Sequence, residues 1–295
     1  MLCSICPRKC NADREKAAGF CGMGFKPVIA RAFLHMWEEP CISGTKGSGT
    51  VFFSGCNLKC IFCQNHEISH GGRGREVSTE ELAAIFLSLR DKGAHNINLV
   101  TPSHFVPAIL EALEIAKTNN PAPLDIPIVY NTSGYDSLGS LKMLEGSIDI
   151  YLPDLKYISP DVSMRYSGAK DYFEKASRAI FEMYRQTGAP ILDESGIMKR
   201  GIIIRHLVLP GHVNESLRIL EWIAENLPGD VPVSLMSQYV PCHLASEHAV
   251  LGRRLTRYEY DKVLNKYVKL GLKGFYQERG AASEEFIPDF SRAEF

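Results

Sequence analysis

A chain of 295 residues, 45% of them hydrophobic, with a formal net charge of −1, is long enough to bury about three-quarters of its extended surface in one large domain. Charges of both signs are interspersed, no run of about 18 apolar residues occurs, and Met1-Leu2-Cys3-Ser4 has no basic region leading into an apolar stretch. These features argue against a membrane span, a signal peptide, and a strong nucleic-acid or membrane electrostatic surface.

Nine cysteines, eight of them in the first 63 residues, read as metal ligands in a reducing cytoplasm rather than as disulfides. Residues 1–24 carry Cys3, Cys6, Cys10 and Cys21 in a segment too short and too rich in Lys and Arg to build its own core. Bound metal would supply the folding free energy there, and Cys21-Gly22 offers a turn where glycine permits φ > 0. A closed zinc site and a second Fe–S cluster both take four thiolates and both fit; unligated thiols are the bland alternative. Cys41 is a spare or a replacement ligand. We place a boundary after residue 44, with 1–44 a Cys-rich extension and 45–295 the main domain. The stretch Gly44–Gly49 lacks the Lys-Ser/Thr of a phosphate-binding loop and precedes a strand. It reads as a flexible loop under the entrance of the domain.

The apolar run Thr50–Phe53 leads into Gly55-Cys56-Asn57-Leu58-Lys59-Cys60-Ile61-Phe62-Cys63. Three thiols at this spacing suit a cubane [4Fe–4S] cluster with one iron left open for a small molecule. A zinc knuckle with a distant fourth ligand, or simply buried cysteines, would be the structural alternatives. Just beyond, His66-Glu67-Ile68-Ser69-His70 matches the zinc-protease pattern, which needs a helix to bring both imidazoles to one face. The following Gly71-Gly72-Arg73-Gly74 argues against a helix and hence against a catalytic zinc.

From Thr50 onward strands and helices alternate. The pattern predicts strands at 50–54, 96–101, 126–131, 148–152, 201–208, 231–238 and 274–277. Helices are expected at 78–92, 107–118, 137–145, 170–187, 215–226 and 257–270. Capping boxes Ser78/Glu81 and Thr256/Glu259, an Asn214 cap, and stops at Gly93 and Gly188 mark the ends. The stretches 119–127 and 193–199 read as loops. Six β-then-α units with several wholly apolar strands imply a parallel sheet covered by helices, either an open (β/α)6 barrel or a doubly wound sheet.

The cysteine nonet, with the aromatic Phe62 before its last cysteine, resembles the cluster motif of radical S-adenosylmethionine (SAM) enzymes. The flanking Gly44–Ser54 and Cys63-Gln64-Asn65 resemble more narrowly the uncharacterised relatives of pyruvate formate-lyase activating enzyme. The likeness runs from about residue 40 onward and includes the N-terminal cysteines. It implies the partial barrel, a cluster on Cys56, Cys60 and Cys63, and SAM chelated to the open iron. An electron would then cleave its C–S bond to give a 5′-deoxyadenosyl radical. It further implies a reductant such as flavodoxin or ferredoxin, and a backbone glycine of a partner glycyl-radical enzyme as substrate. Another protein, peptide or small metabolite is the alternative. An Fe–S electron carrier without SAM chemistry is the alternative of a different class.

In parallel α/β folds ligands sit at the C-terminal strand ends. Those ends carry Thr101 and Ser103, Asn131 and Ser133, Asp154 and Lys156, Arg205, and Gln238. All can hydrogen-bond, as a zwitterionic, ribose-bearing ligand requires. By resemblance, Lys156 pairs with the SAM carboxylate, Asp154 lies near the ribose, and Phe62 flanks the ligand. The family's Gly-Gly-Glu after the second strand is replaced by Thr101-Pro102-Ser103-His104, so Thr101, Ser103 or backbone carbonyls must hold the amino group. Loop capping is the alternative role for each of these residues.

Overall fold

The computed structural model describes residues 2–118, 122–277 and 290. Strand β1 (Val28–His35) runs antiparallel to β2 (Ser48–Phe53), and the short β3 (Arg75–Glu76) pairs with the start of β1. From β2 the sheet turns parallel through β4 (Ile97–Val100), β5 (Ile128–Thr132) and β6 (Ile150–Pro153). A short hairpin of β7 (Ile191–Leu192) and β8 (Met198–Ile202) comes next, and β8 pairs with β6. One residue later β9 (Ile204–Leu207) takes up pairing with β10 (Val233–Met236), which is followed by β11 (Gly274–Tyr276). A parallel bridge between Asp154 and Arg205 joins the ends of β6 and β9. The result is a mostly parallel sheet with six βα units, the α/β barrel architecture expected.

Strands β2, β6 and β10 are buried on both faces, and β6 and β10 accordingly read as nearly continuous apolar runs. Two short helices, α1 (Pro40–Ser43) and α2 (His66–Ser69), flank β2. The outer layer holds α3 (Thr79–Asp91), α4 (Val106–Thr118), α5 (Leu138–Leu144), α6 (Pro160–Ser167), α7 (Tyr172–Thr187), α8 (Val213–Asn226) and α9 (Arg257–Lys269). Both capping boxes form, Ser78 with Glu81 and Thr256 with Glu259, and Gly188 ends α7 at φ +71°. Helix α8 begins at Val213, so Asn214 lies inside it and His212 holds the cap position without a side-chain bond.

Several expectations change. The stretch 193–199 is the turn and start of a hairpin, whose short strands fell below the length that periodicity resolves. Residues 119–121 of the loop expected at 119–127 lie outside the described residues. Residues 28–43, counted above with the extension, build onto the barrel: β1 pairs along the length of β2. Cys41 and Ile42 of α1 pack with Val129, Ile150, Leu152, Met198 and Ile203. Cys41 thus belongs to the barrel's core and not to the N-terminal thiols. Gly44 and Gly47 join α1 to β2 at the end of the strand opposite the cysteine loop, and Gly49 is already paired to Ile97. The loop expected under the entrance therefore lies at the other end of the barrel.

The N-terminal segment has little regular structure and is held by individual bonds. Ser137 Oγ donates to the Ile5 carbonyl at 2.8 Å, and Arg14 Nη1 donates to the His104 carbonyl at 2.6 Å.

Candidate cluster and cofactor site

The cysteine loop leaves β2 through Gly55, at φ +80°, where an added Cβ would lie 2.7 Å from the Cys21 carbonyl oxygen. Only glycine suits both that angle and that approach. Cys56, Cys60 and Cys63 then line one cavity of about 410 Å³. Each sulfur has a polar neighbour. The Leu58 N–H reaches Cys56 Sγ at 3.3 Å, Ser167 Oγ donates to Cys60 Sγ at 2.9 Å, and Ser69 Oγ lies 3.2 Å from Cys63 Sγ. Burial pushes the Cys56 thiol up to about 12 and Cys60 to about 11, with neighbouring thiols adding to Cys56, and raises Cys63 as well. Thiolates gathered there need a cationic partner, which an iron–sulfur cluster supplies. Among the described residues no three His, Cys, Asp or Glu converge tightly enough for a single metal ion. A cubane instead distributes its cysteines over different irons. The three thiols fit such a cluster.

Opposite the thiols, the ends of the strands supply the polar wall. Lys156 Nζ donates to Asp154 Oδ2 at 2.5 Å. Burial opposes the Lys156 charge, but Asp154 and Cys60 outweigh it and the ammonium is held above its ordinary pKa. Tyr172 of α7 fixes these loops. Its hydroxyl accepts from the Lys156 N–H at 3.0 Å and lies 2.8 Å from both the Ser133 and Asp154 carbonyls. Thr101 stands at φ +59°, a strained angle for a β-branched residue and of the kind that collects at functional sites.

The cavity is lined by eight of the nine side chains expected at a SAM site: Phe62, Thr101, Asn131, Ser133, Asp154, Lys156, Arg205 and Gln238. Ser103 is the exception. It is buried and its hydroxyl lies 3.3 Å from Thr132 Oγ1, within a network in which Thr132 and Tyr130 both donate to Asp136. A loop residue three positions past the end of β4 has no direction fixed by the sequence. Gln238 is held by the residue that follows β11, accepting from Gln277 Nε2 at 2.7 Å.

The residues that sequence reasoning missed come from the end of β1 and the segment after it. Trp37, Glu38 and His35 line the cavity, and Arg205 is clamped between Glu38 at 2.5 Å and Glu39 at 2.9 Å. Asn98 Nδ2 donates to Glu38 Oε1 at 2.8 Å. Burial opposes these charges, but their mutual attraction keeps Glu38 below and Arg205 above their ordinary pKa values. The acidic pair 38–39 was visible in the sequence, but its partner lies 167 positions away.

The N-terminal thiols lie beside the cluster loop, but among the described residues they do not stand close enough together for a single metal ion. Cys6 and Cys21 are pushed up by burial, with Cys3 adding to both, and Cys10 shares a hydrogen bond with Cys3. The position of a Cβ on Gly19 would lie 3.4 Å from Cys10 Sγ and 3.5 Å from Cys21 Sγ. Contrary to expectation, His66–Ser69 does form a helical turn, stopped before Gly71. The His66 and His70 rings lie 4.8 and 4.9 Å from the His243 ring.

The radical SAM superfamily model matches residues 50–223. The uncharacterized protein MJ0674 of Methanocaldococcus jannaschii is 32% identical over 284 residues, 93% of this chain and 76% of that protein. The pyruvate formate-lyase-activating enzyme of Clostridium pasteurianum is 24% identical over 75% of this chain and 79% of its own. Among solved structures, a radical SAM methyltransferase from Sphaerobacter thermophilus aligns with TM-score 0.53 and 18% identity, covering 79% of this chain and 67% of that one. The chain spans about half (47%) the length of SuiB from Streptococcus suis, another structural neighbour. With its family model spanning the barrel from β2 into α8, the chain belongs to the radical SAM superfamily.

Proposed function

We propose that this chain binds a [4Fe–4S] cluster through Cys56, Cys60 and Cys63, binds SAM beside it, and takes hydrogen from a peptide or protein substrate. The observation that carries this reading is the cavity itself, where three thiols and the Lys156–Asp154 pair line one space. When bound, the cluster supplies the electron that cleaves the C–S bond of SAM. The chain's own groups do the rest. Lys156 offers a charged donor to a carboxylate, Asp154 and Asn131 offer acceptors, and Tyr172 holds both loops in place. Phe53, Phe62 and Ile68 supply apolar walls that exclude water.

A macromolecular substrate is supported by the rim. Trp37 lines the cavity while remaining 65% exposed, as a surface that docks a polypeptide segment would. The similarity to an activating enzyme, and to a solved enzyme named for bound AdoMet and a peptide (TM-score 0.52, 15% identity), points the same way. A backbone glycine of a glycyl-radical enzyme is the first substrate to test. A flavodoxin- or ferredoxin-type reductant and a metal on Cys3, Cys6, Cys10 and Cys21, zinc or a second Fe–S cluster, complete the reading; a single zinc would have to draw those thiols closer together than they stand. The deciding experiment adds SAM to anaerobically reconstituted, reduced protein. A SAM-dependent change in the cluster's EPR signal with 5′-deoxyadenosine formation supports an enzyme; an unchanged signal with no product leaves an electron carrier.

A further inference from the structure

The N-terminal four-cysteine segment touches the catalytic loop at a point that bears on the cluster's electronics. Arg8 lies between Cys6 and Cys10. Its guanidinium donates to three carbonyls: Nε to Asn57 at 2.7 Å, Nη1 to Gly168 at 2.6 Å and Nη2 to Ser167 at 3.3 Å. Asn57 belongs to the cysteine loop, while Ser167 and Gly168 end α6, where Gly168 at φ +64° turns the chain and exposes those carbonyls. Aromatic rings fix the plane of the guanidinium, Phe20 at 4.2 Å and Tyr135 at 5.2 Å. The α6 end is further joined to the loop by Lys59 N–H to the Ser167 carbonyl and Ile61 N–H to the Tyr166 carbonyl.

Ser167 is fully buried, and its hydroxyl donates to Cys60 Sγ at 2.9 Å while Tyr157 OH lies 2.7 Å from the same oxygen. Because Ser167 Oγ gives its proton to sulfur, Tyr157 is the donor in the second bond, and the two bonds polarise one another. A hydrogen bond to a cluster thiolate draws electron density off the sulfur, stabilises the reduced cluster and raises its potential.

We infer that Arg8 is a positioning residue through which the N-terminal segment holds the Ser167 hydroxyl on Cys60, and thereby sets the reduction potential of the catalytic cluster. This rests on the cluster assignment proposed above. A donor held at 2.9 Å with the help of a clamp from another segment is pre-organised, so loosening the clamp weakens its effect even though the serine remains.

An EPR-monitored redox titration without SAM tests this, on reconstituted full-length protein. Ser167→Ala is expected to shift the midpoint potential negative, and Ser167→Thr, which keeps the hydroxyl, to hold it near wild type. Arg8→Gln is expected to shift it in the same direction with iron content unchanged. The double variant should move no further than Ser167→Ala alone. Arg8→Lys keeps the charge but loses the three-carbonyl fork, and should behave as Arg8→Gln; it serves as the second variant if the Gln form retains too little iron. A wild-type potential in Ser167→Ala, or in both Arg8 variants, overturns the inference, as does full additivity in the double variant. Absence of any cubane signal in the wild type would instead overturn the cluster assignment on which it rests.

Discussion

The Cys56 amide donates to the Cys21 carbonyl at 3.3 Å, so the fourth cysteine of the N-terminal set abuts the first cysteine of the cluster loop. The two thiol groups are parts of one structural unit, although 34 residues separate them. That contact, with the Arg8 clamp, makes metal content the first property to measure.

Anaerobically reconstituted protein is expected to hold about four irons from the catalytic cluster. Zinc near one per chain would identify the N-terminal site as closed and structural, and iron near eight as a second cluster. Replacing Cys56, Cys60 or Cys63 with Ala should abolish SAM cleavage. Undiminished 5′-deoxyadenosine formation in the triple variant would sink the reading.

Lys156→Ala removes a charge-assisted donor worth roughly 1.5–3 kcal/mol, which corresponds to about one to two orders of magnitude in SAM affinity. The cluster's absorption should stay intact. Asp154→Asn should weaken binding less, because an amide oxygen still accepts from a ribose hydroxyl. Equilibrium binding followed by the EPR change checks both.

Tyr172→Phe should weaken SAM binding with iron content unchanged. The hydroxyl is buried and ties the β5 and β6 loops through Ser133, Asp154 and Lys156. Removing it leaves buried backbone groups without a partner, at about 1–3 kcal/mol. A loss of thermal stability with SAM affinity retained would show the bond to be structural only.

Arg205→Ala leaves Glu38 and Glu39 as buried charges without their cation. Breaking such a group by removing one partner costs about 3–5 kcal/mol. At roughly 2–4 °C per kcal/mol for a chain of this size class, the Tm should fall by about 6–20 °C. Arg205→Met combined with Glu38→Gln and Glu39→Gln should recover much of that loss.

Glu259 links α9 to the loop after β9. Arg253 holds its carboxyl well below the ordinary 4.5, aided by the N–H groups of Thr256 and Gly211. A depressed pKa contributes stability that is complete above the unfolded value and is lost as pH falls through the folded one. Acid unfolding should therefore steepen below about pH 4.5 in the wild type, and Glu259→Gln should flatten that limb while lowering stability at pH 7.

Periodicity and capping chemistry were enough to place the six βα units, because an apolar face and a helix cap are local properties of neighbouring residues. Ser78 and Glu81 find each other across three positions whatever the rest of the chain does. The spacing of Cys56, Cys60 and Cys63 is equally local, and so are the polar residues that end each strand. Folding was needed for contacts between distant segments, whose partners no local pattern names. The antiparallel β1, which reads as an ordinary short run, pairs with β2 because the barrel leaves that edge open. Ser103 turns into the Thr132–Asp136 network although its neighbours face the cavity. The Ser167 hydroxyl reaches Cys60 across 107 positions, and Glu38 meets Arg205 across 167. Sequence by itself determined which thiols and polar strand ends were the candidates for the chemistry; the curvature of the sheet decided which buried charges and donors stand against them.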